Sequence, residues 1–291
     1  MINVLSYQRP ESLEEALDLM ARRDLTPIAG GTDIIPQMRD GEPRALIDTH
    51  RLGLDYVKAD ELTIEIGSTV THSGLCHSAD INRLLPLLST AAGAIGSVQI
   101  RNRGTIGGNI VNASPSADTL PALLNYDAEV GLVSKTGKRS IKLADFVRGP
   151  YATDRKPGEL VSSVVCKALG ATPGARTSVC FLKLGRRNAM SISRVSLALS
   201  ATTEAGGKIK SARVSVGSIF PVAKRMLEVE RLLGGQVMSK KLFEEAGVLA
   251  TELLVMETGI RWSSPYKMPV LKGLIERALS QVAKDCGVIL K

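Results

Sequence analysis

Two glycine pairs carry the residues best suited to hold a phosphate. The first lies in Ile28–Asp33, with the sequence IAGGTD, and the second lies in Gly104–Asn109, with the sequence GTIGGN. Glycine has no Cβ, so an amide N–H can approach a phosphate closely, and each segment adds a threonine hydroxyl. Neither segment fits the Rossmann or P-loop pattern. One such segment alone is more typical of an ordinary turn, but two predict a ligand with a diphosphate, bound by amides and hydroxyls.

The surrounding pattern places both segments in an α/β framework. Residues 4–48 indicate strand, helix and strand, a short helix over 34–39, and a third strand. Ser12 and Glu15 have the spacing of a capping box. Beyond residue 58 we expect further strands and helices, with a glycine loop over 104–109 inside a stretch, 104–114, that is rich in glycine, asparagine and serine. After a break at 170–174, three strands and then three helices predict an α+β module.

Composition narrows the function classes. Lysine and arginine number 37 against 29 acidic residues, a net charge of +8, which suits an anionic ligand or an acidic partner. The positive charge is the only feature that favours a nucleic-acid-binding module. We expect no such module because aromatic residues make up only 3% of the chain. The four cysteines lack zinc or iron–sulfur spacing. We see no signal peptide and no apolar run long enough for a membrane span, so we expect a cytoplasmic protein with reduced thiols.

Four longer motifs carry a resemblance that spans essentially the whole chain. They are Ala29–Asp33 (AGGTD), Ser97–Asn109 (SVQIRNRGTIGGN), Ala113–Asp118 (ASPSAD) and Phe181–Arg187 (FLKLGRR). Together they resemble the FAD-binding medium subunit of the molybdenum hydroxylases, the family of xanthine dehydrogenase and carbon monoxide dehydrogenase. The run after Lys183 is most similar to the purine and N-heterocycle hydroxylase branch.

The resemblance implies an α+β fold with two domains. The first, over residues 1–172, is an FAD-binding domain of the p-cresol methylhydroxylase type, with α/β subdomains of about 1–57 and 58–172. The second, over residues 176–291, contains a three-stranded antiparallel sheet with helices.

The resemblance also implies a set of FAD-binding residues, carried over one by one. Asp118 matches an acidic residue that contacts the flavin nucleotide, and Lys183 matches a lysine that reaches toward the flavin. Leu160 stands where a backbone contact to the adenine end is expected. Ile95 occupies a position where some members place an aromatic ring against the flavin. The diphosphate segments supply the remaining residues: Ile28, Ala29, Gly30, Gly31, Thr32, Asp33, Thr105, Ile106, Gly107, Gly108 and Asn109.

Local patterns allow other interpretations. Asp118 could cap a helix, and Lys183 could end a solvated strand. His72 and Cys76 share a predicted helix face, but without further ligands they do not predict a metal site. Electron transfer needs no proton-transfer group from the protein, so we predict no catalytic residue.

The resemblance implies an electron-transfer function inside a heterotrimer. The flavin would take electrons from the [2Fe-2S] clusters of a small subunit and pass them to NAD⁺ or another acceptor. Molybdopterin would belong to a large subunit. Two alternatives stay open: a stand-alone FAD-dependent reductase or oxidase of the same fold, and a non-catalytic assembly subunit.

Overall fold

The computed structural model describes residues 4–39, 41–169 and 174–290. The helices in these ranges are α1 (Leu13–Arg22), α2 (Ile34–Arg39), α3 (His72–His77), α4 (Ala79–Leu84), α5 (Pro86–Gly93), α6 (Val98–Arg103), α7 (Ile106–Asn112), α8 (Thr119–Asn125), α9 (Leu143–Phe146), α10 (Leu227–Leu233), α11 (Lys240–Thr258) and α12 (Ser264–Asp285).

The strands in the same ranges form four sheets. They are β1 (Val4–Gln8), β2 (Thr26–Ile28), β3 (Arg44–Asp48), β4 (Val57–Ala59), β5 (Thr63–Gly67), β6 (Glu129–Ser134), β7 (Gly137–Lys142), β8 (Val147–Gly149), β9 (Ala152–Thr153), β10 (Leu160–Lys167), β11 (Arg176–Gly185), β12 (Ser193–Thr203), β13 (Ile209–Gly217) and β14 (Lys224–Arg225).

The chain packs into two compact units. Unit one contains residues up to Leu85 together with Ile95–Ser114 and Asp127–Ala168. Unit two contains Pro86–Ala94, Pro115–Tyr126 and the chain from Leu169 onward. Two short segments from within the predicted first domain thus belong to unit two. The predicted linker at 170–174 lies outside the described residues except for Gly174. Residues 1–3 also lie outside them, and they belong to the N-terminal stretch in which we predicted no signal peptide.

Unit one begins with a small parallel sheet in the order β1-β3-β2. Successive side chains of a strand point to opposite faces, so neighbouring residues of β3 pack into two different hydrophobic cores. Ile47 packs with Ala16 and Met20 of the amphipathic α1, whereas Leu46 packs with Met38 of α2. Helices therefore cover both faces of this sheet, and β2 lies at its edge.

The rest of unit one is built on an antiparallel sheet in the order β4-β5-β10-β6-β7, together with the β8–β9 pair. Its central strands carry fully buried side chains, among them Ile64, Val130 and Val164. Thr71 caps α3 through a hydrogen bond from the amide of Gly74.

Unit two is an antiparallel sheet in the order β11-β12-β13-β14, with α10, α11 and α12 on one face. Leu197 and Val214 pack against these helices. On β12 the alternate residue Ser200 donates to the side chain of Asn125, at the end of α8, at 2.6 Å. Asn125 also donates to the carbonyls of Ala198 and Arg213 at 3.1 Å each. This fully buried amide holds α8 to the sheet.

The predicted α+β class is confirmed, with two local corrections. The C-terminal sheet has a short fourth strand, β14, in addition to the three strands that we predicted. The predicted loop over 104–109 instead forms the start of α7, a seven-residue helix. Among the described helices, none combines the length and apolar character that a membrane span requires.

Candidate functional site

A cleft of about 700 Å³ opens in unit one at the edge of the parallel sheet. This volume is in the range of small-molecule sites. Eleven predicted site residues line it: Ile28, Ala29, Gly30, Gly31, Thr32, Asp33, Thr105, Gly107, Gly108, Asn109 and Leu160. Ile106 is fully buried and does not line the cleft.

The first glycine segment forms the turn from β2 into α2. A Cβ on Gly30 would lie 1.8 Å from the carbonyl oxygen of Arg103, so only glycine fits there. Gly31 has φ +72°, in the left-handed region that favours glycine. In the described chain the amides of Gly31, Thr32 and Asp33 have no backbone acceptor. These three amides fit the predicted role as phosphate donors.

The second glycine segment is the start of α7, and its amides already donate hydrogen bonds within the protein. Ile106 and Gly107 donate to the carbonyls of Val70 and Ser68, at 3.0 and 2.9 Å. Gly108 donates to the hydroxyl of Thr105 at 3.1 Å. In the FAD-free chain these three amides therefore already have acceptors, and their contact with a phosphate stays a prediction. The hydroxyl hydrogen of Thr105 stays available, because its oxygen is the group that accepts from Gly108.

The two glycines of α7 have different roles. A Cβ on Gly107 would lie 2.6 Å from the Cβ of Ser68, so Gly107 permits close packing against the chain beside β5. A Cβ on Gly108 would meet only the hydroxyl of Thr105, at 3.0 Å. Since both glycines line the cleft, Gly108 is the one whose missing side chain leaves room for a ligand.

Two polar residues of the cleft were not predicted as site residues. His72 and Thr69 line it, with 3% and 7% of their surfaces exposed, and His72 Nδ1 and Thr69 Oγ1 have no hydrogen-bond partner. Burial, with the charge of Arg101 as a second cause, lowers the pKa of His72 to about 4, so the ring is neutral at pH 7. No sequence signal marks them, because only the fold shows that their polar atoms lack partners.

The charges of the cleft suit an anion. Its charged lining residues are Arg44, Arg155 and Asp33. Desolvation raises the pKa of Asp33, and a hydrogen bond from Thr32 opposes that rise. Two cations against one carboxylate, with free amides and a hydroxyl, make a donor set that fits the diphosphate of a dinucleotide.

Asp118 and Lys183 form an ion pair in unit two. Lys183 Nζ lies 2.6 Å from Asp118 Oδ2, and Ser193 donates to Asp118 Oδ1 at 2.5 Å. Burial raises the pKa of Asp118, against the opposing effects of Lys183 and Ser193. Asp118 occupies the N-cap position of α8, but its side chain makes no capping hydrogen bond. The alternative interpretations of Asp118 as a helix cap and of Lys183 as a solvated residue are therefore wrong.

Ile95 lies in unit one and outside the cleft lining. Its carbonyl accepts from the guanidinium of Arg101 at 3.0 Å, and its side chain is partly exposed. Contact of Ile95 with a flavin stays a prediction.

Comparison with protein families covers nearly the whole chain. Residues 3–166 match the FAD binding domain in molybdopterin dehydrogenase, and residues 180–282 match the CO dehydrogenase flavoprotein C-terminal domain. The glyceraldehyde dehydrogenase medium chain of Sulfolobus acidocaldarius is 33% identical over 282 residues, covering 96% of this chain and 98% of the relative. The nicotinate dehydrogenase FAD-subunit of Eubacterium barkeri is 30% identical over 288 residues, covering 96% and 97%.

Solved structures support the same relationship. Carbon monoxide dehydrogenase from Hydrogenophaga pseudoflava superposes with a TM-score of 0.89 at 26% identity, covering 98% of this chain and 99% of that one. Quinoline 2-oxidoreductase from Pseudomonas putida 86 gives a TM-score of 0.90 at 25% identity, with the same coverage. The predicted fold, FAD as the cofactor and the oxidoreductase class are confirmed.

Proposed function

The chain belongs to the family of FAD-binding medium subunits of molybdopterin dehydrogenases, and we propose that it is the electron-transfer subunit of such a complex. The observation that carries the proposal is the cleft of unit one. There the predicted glycine segments and an excess of cations surround about 700 Å³ at a strand edge. A bound FAD would supply the redox chemistry itself.

The residues of the cleft bind and orient the cofactor. The amides of Gly31, Thr32 and Asp33 donate to one phosphate, and the hydroxyl of Thr105 donates to the other. Gly108 leaves space for the ligand, and Leu160 contacts the adenine end. Asp118 and Lys183 do not line this cleft; we propose that they contact the flavin nucleotide, and their ion pair fixes the position of both side chains. The family resemblance supports these last two assignments.

The partners are a large molybdopterin subunit and a small subunit with [2Fe-2S] clusters. In this arrangement electrons enter the chain from the small subunit and leave to NAD⁺ or another acceptor. The names of the relatives support a multi-subunit assembly, since they include medium chains and an FAD-subunit. We further propose a substrate from the N-heterocycle class, since relatives are named for nicotinate and nicotine.

The first experiment is an absorption spectrum of the purified chain with extraction and identification of the cofactor. We expect flavin bands near ~370 and ~450 nm and about one FAD released per chain. The flavin should then be bleached by the reduced small subunit and recover its colour when the acceptor is added. NAD⁺ and a quinone, tested in parallel, identify that acceptor.

Other outcomes separate the alternatives. A chain that turns over an electron donor and an acceptor without iron–sulfur partners is a stand-alone reductase or oxidase. A chain that takes up no FAD, alone or with its partner subunits, is an assembly subunit, and the electron-transfer proposal is then wrong.

A further inference from the structure

Tyr151 is an exposed aromatic residue at the rim of the cleft. It lies in the turn between β8 and β9, and 64% of its surface is exposed. Among the described residues that line the cleft, it is the only tyrosine, phenylalanine or tryptophan. A large exposed ring beside a ligand cleft is a candidate for ligand contact, because burying it on binding is favourable.

The backbone holds Tyr151 in a conformation that disfavours side chains. Its φ is +58°, and its amide donates to the carbonyl of Ala113 at 3.0 Å. Ala113, which ends α7, has φ +46°. A hydrogen bond thus joins two left-handed residues that are not glycine. A glycine at position 151 would avoid this strain, so the tyrosine at this position costs stability.

The surroundings of Tyr151 suit a purine. The cleft also contains Thr26 and Pro27 of β2, the edge strand of the parallel sheet. Pro27 has no N–H, so at this residue the backbone offers only a carbonyl acceptor, which can pair with the amino group of adenine. Arg155 lines the same cleft and is fixed by its hydrogen bond to the carbonyl of Glu159 at 2.9 Å. The cleft therefore offers an aromatic face, a polar edge and a cation.

We propose that Tyr151 stacks on the adenine ring of FAD and so favours a dinucleotide flavin over a mononucleotide. Stacking on an aromatic side chain is favourable for any base because every base has a π-face. This inference rests on the proposed function, since it requires FAD in the cleft.

The test measures the binding of FAD and of ADP to the FAD-free chain by titration calorimetry. Tyr151→Ala should raise the Kd of both ligands by about tenfold, because both contain adenine. Tyr151→Phe should bind both ligands like the wild type, since it keeps the ring. Tyr151→Gly should lose binding like the alanine variant while raising the melting temperature, because glycine accepts the left-handed backbone. If the alanine variant does not fold, the glycine variant still measures the loss of binding that follows removal of the ring.

Two results would overturn the proposal: an unchanged Kd for ADP in the alanine and glycine variants, or a loss in Tyr151→Phe as large as in Tyr151→Ala. A wild-type chain that takes up no FAD would instead overturn the proposed function. The two failures are distinguishable, because only the second appears without any substitution.

Discussion

The ammonium group of Lys183 lies 2.6 Å from the carboxylate of Asp118, although 65 residues separate them in the chain. Lys183 also donates to the carbonyl of Ala94 at 2.8 Å, and Ser193 donates to the second carboxylate oxygen. The side chains of Lys183 and Asp118 are 14% and 5% exposed. Each charge of this pair is therefore buried, paired and hydrogen-bonded, so loss of one partner leaves the other uncompensated.

Lys183→Met should lower the free energy of unfolding by about 3 kcal/mol, because it leaves a buried carboxylate without its cation. Urea unfolding of the FAD-free chain measures this change. The double variant Lys183→Met/Asp118→Asn should recover part of the loss, since it removes the charge of the buried carboxylate as well. Lys210→Met, at an exposed position of the same unit, is the matched control and should have little effect. Equal losses in the single and double variants would contradict the pairing argument.

A side chain added at Gly108 should have a different effect from one added at Gly107. Gly108→Val should destabilise the FAD-free chain less than Gly107→Ala, because a Cβ there meets only the Thr105 hydroxyl. It should weaken FAD binding by about tenfold to a hundredfold, since its side chain would occupy cleft space. Gly107→Ala should instead lower the melting temperature, because its Cβ would collide with Ser68. Thermal unfolding and FAD titration of both variants test this contrast. Normal FAD affinity in Gly108→Val would remove that residue from the site.

The sequence predicted where the glycine segments lie, but the separate role of each glycine depends on distant residues. A Cβ on Gly30 would collide with the carbonyl of Arg103, and a Cβ on Gly107 would collide with Ser68. No local pattern contains these contacts, since only the fold brings the segments together. The sequence predicted phosphate-binding amides in both segments, whereas in the second the carbonyls of Val70 and Ser68 accept two of them.

The helix α7 was missed for a related reason. Two glycines and two asparagines lower helix propensity, so the pattern favours a loop. In the fold, the Thr105 cap and the hydrogen bonds to the chain after β5 outweigh that propensity. The strands and helices with regular apolar spacing were predictable, because their buried faces determine their periodicity.

Thr105→Val should affect stability and binding together. The hydroxyl caps α7 by accepting from Gly108, so its loss should lower the free energy of unfolding by about 1 kcal/mol. The same change removes the proposed donor to a phosphate and should weaken FAD binding. Thr105→Ser keeps the hydroxyl and should resemble the wild type in both measurements. If the valine variant loses stability while its FAD affinity is unchanged, Thr105 is a helix cap only.

His72 should make the stability of the FAD-free chain depend on pH. Burial lowers its pKa to about 4, whereas in the unfolded chain a histidine titrates near ~6.5. As the pH falls below ~6.5, the unfolded chain binds a proton that the folded chain does not, so the free energy of unfolding decreases. Linkage gives a loss of about 2 kcal/mol between pH 7.5 and 5. Urea unfolding at both values measures it. His72→Gln cannot titrate and should lose about 2 kcal/mol less than the wild type over this interval. The same loss in both proteins would show that His72 is protonated in the folded chain and that its ring is not held neutral by burial.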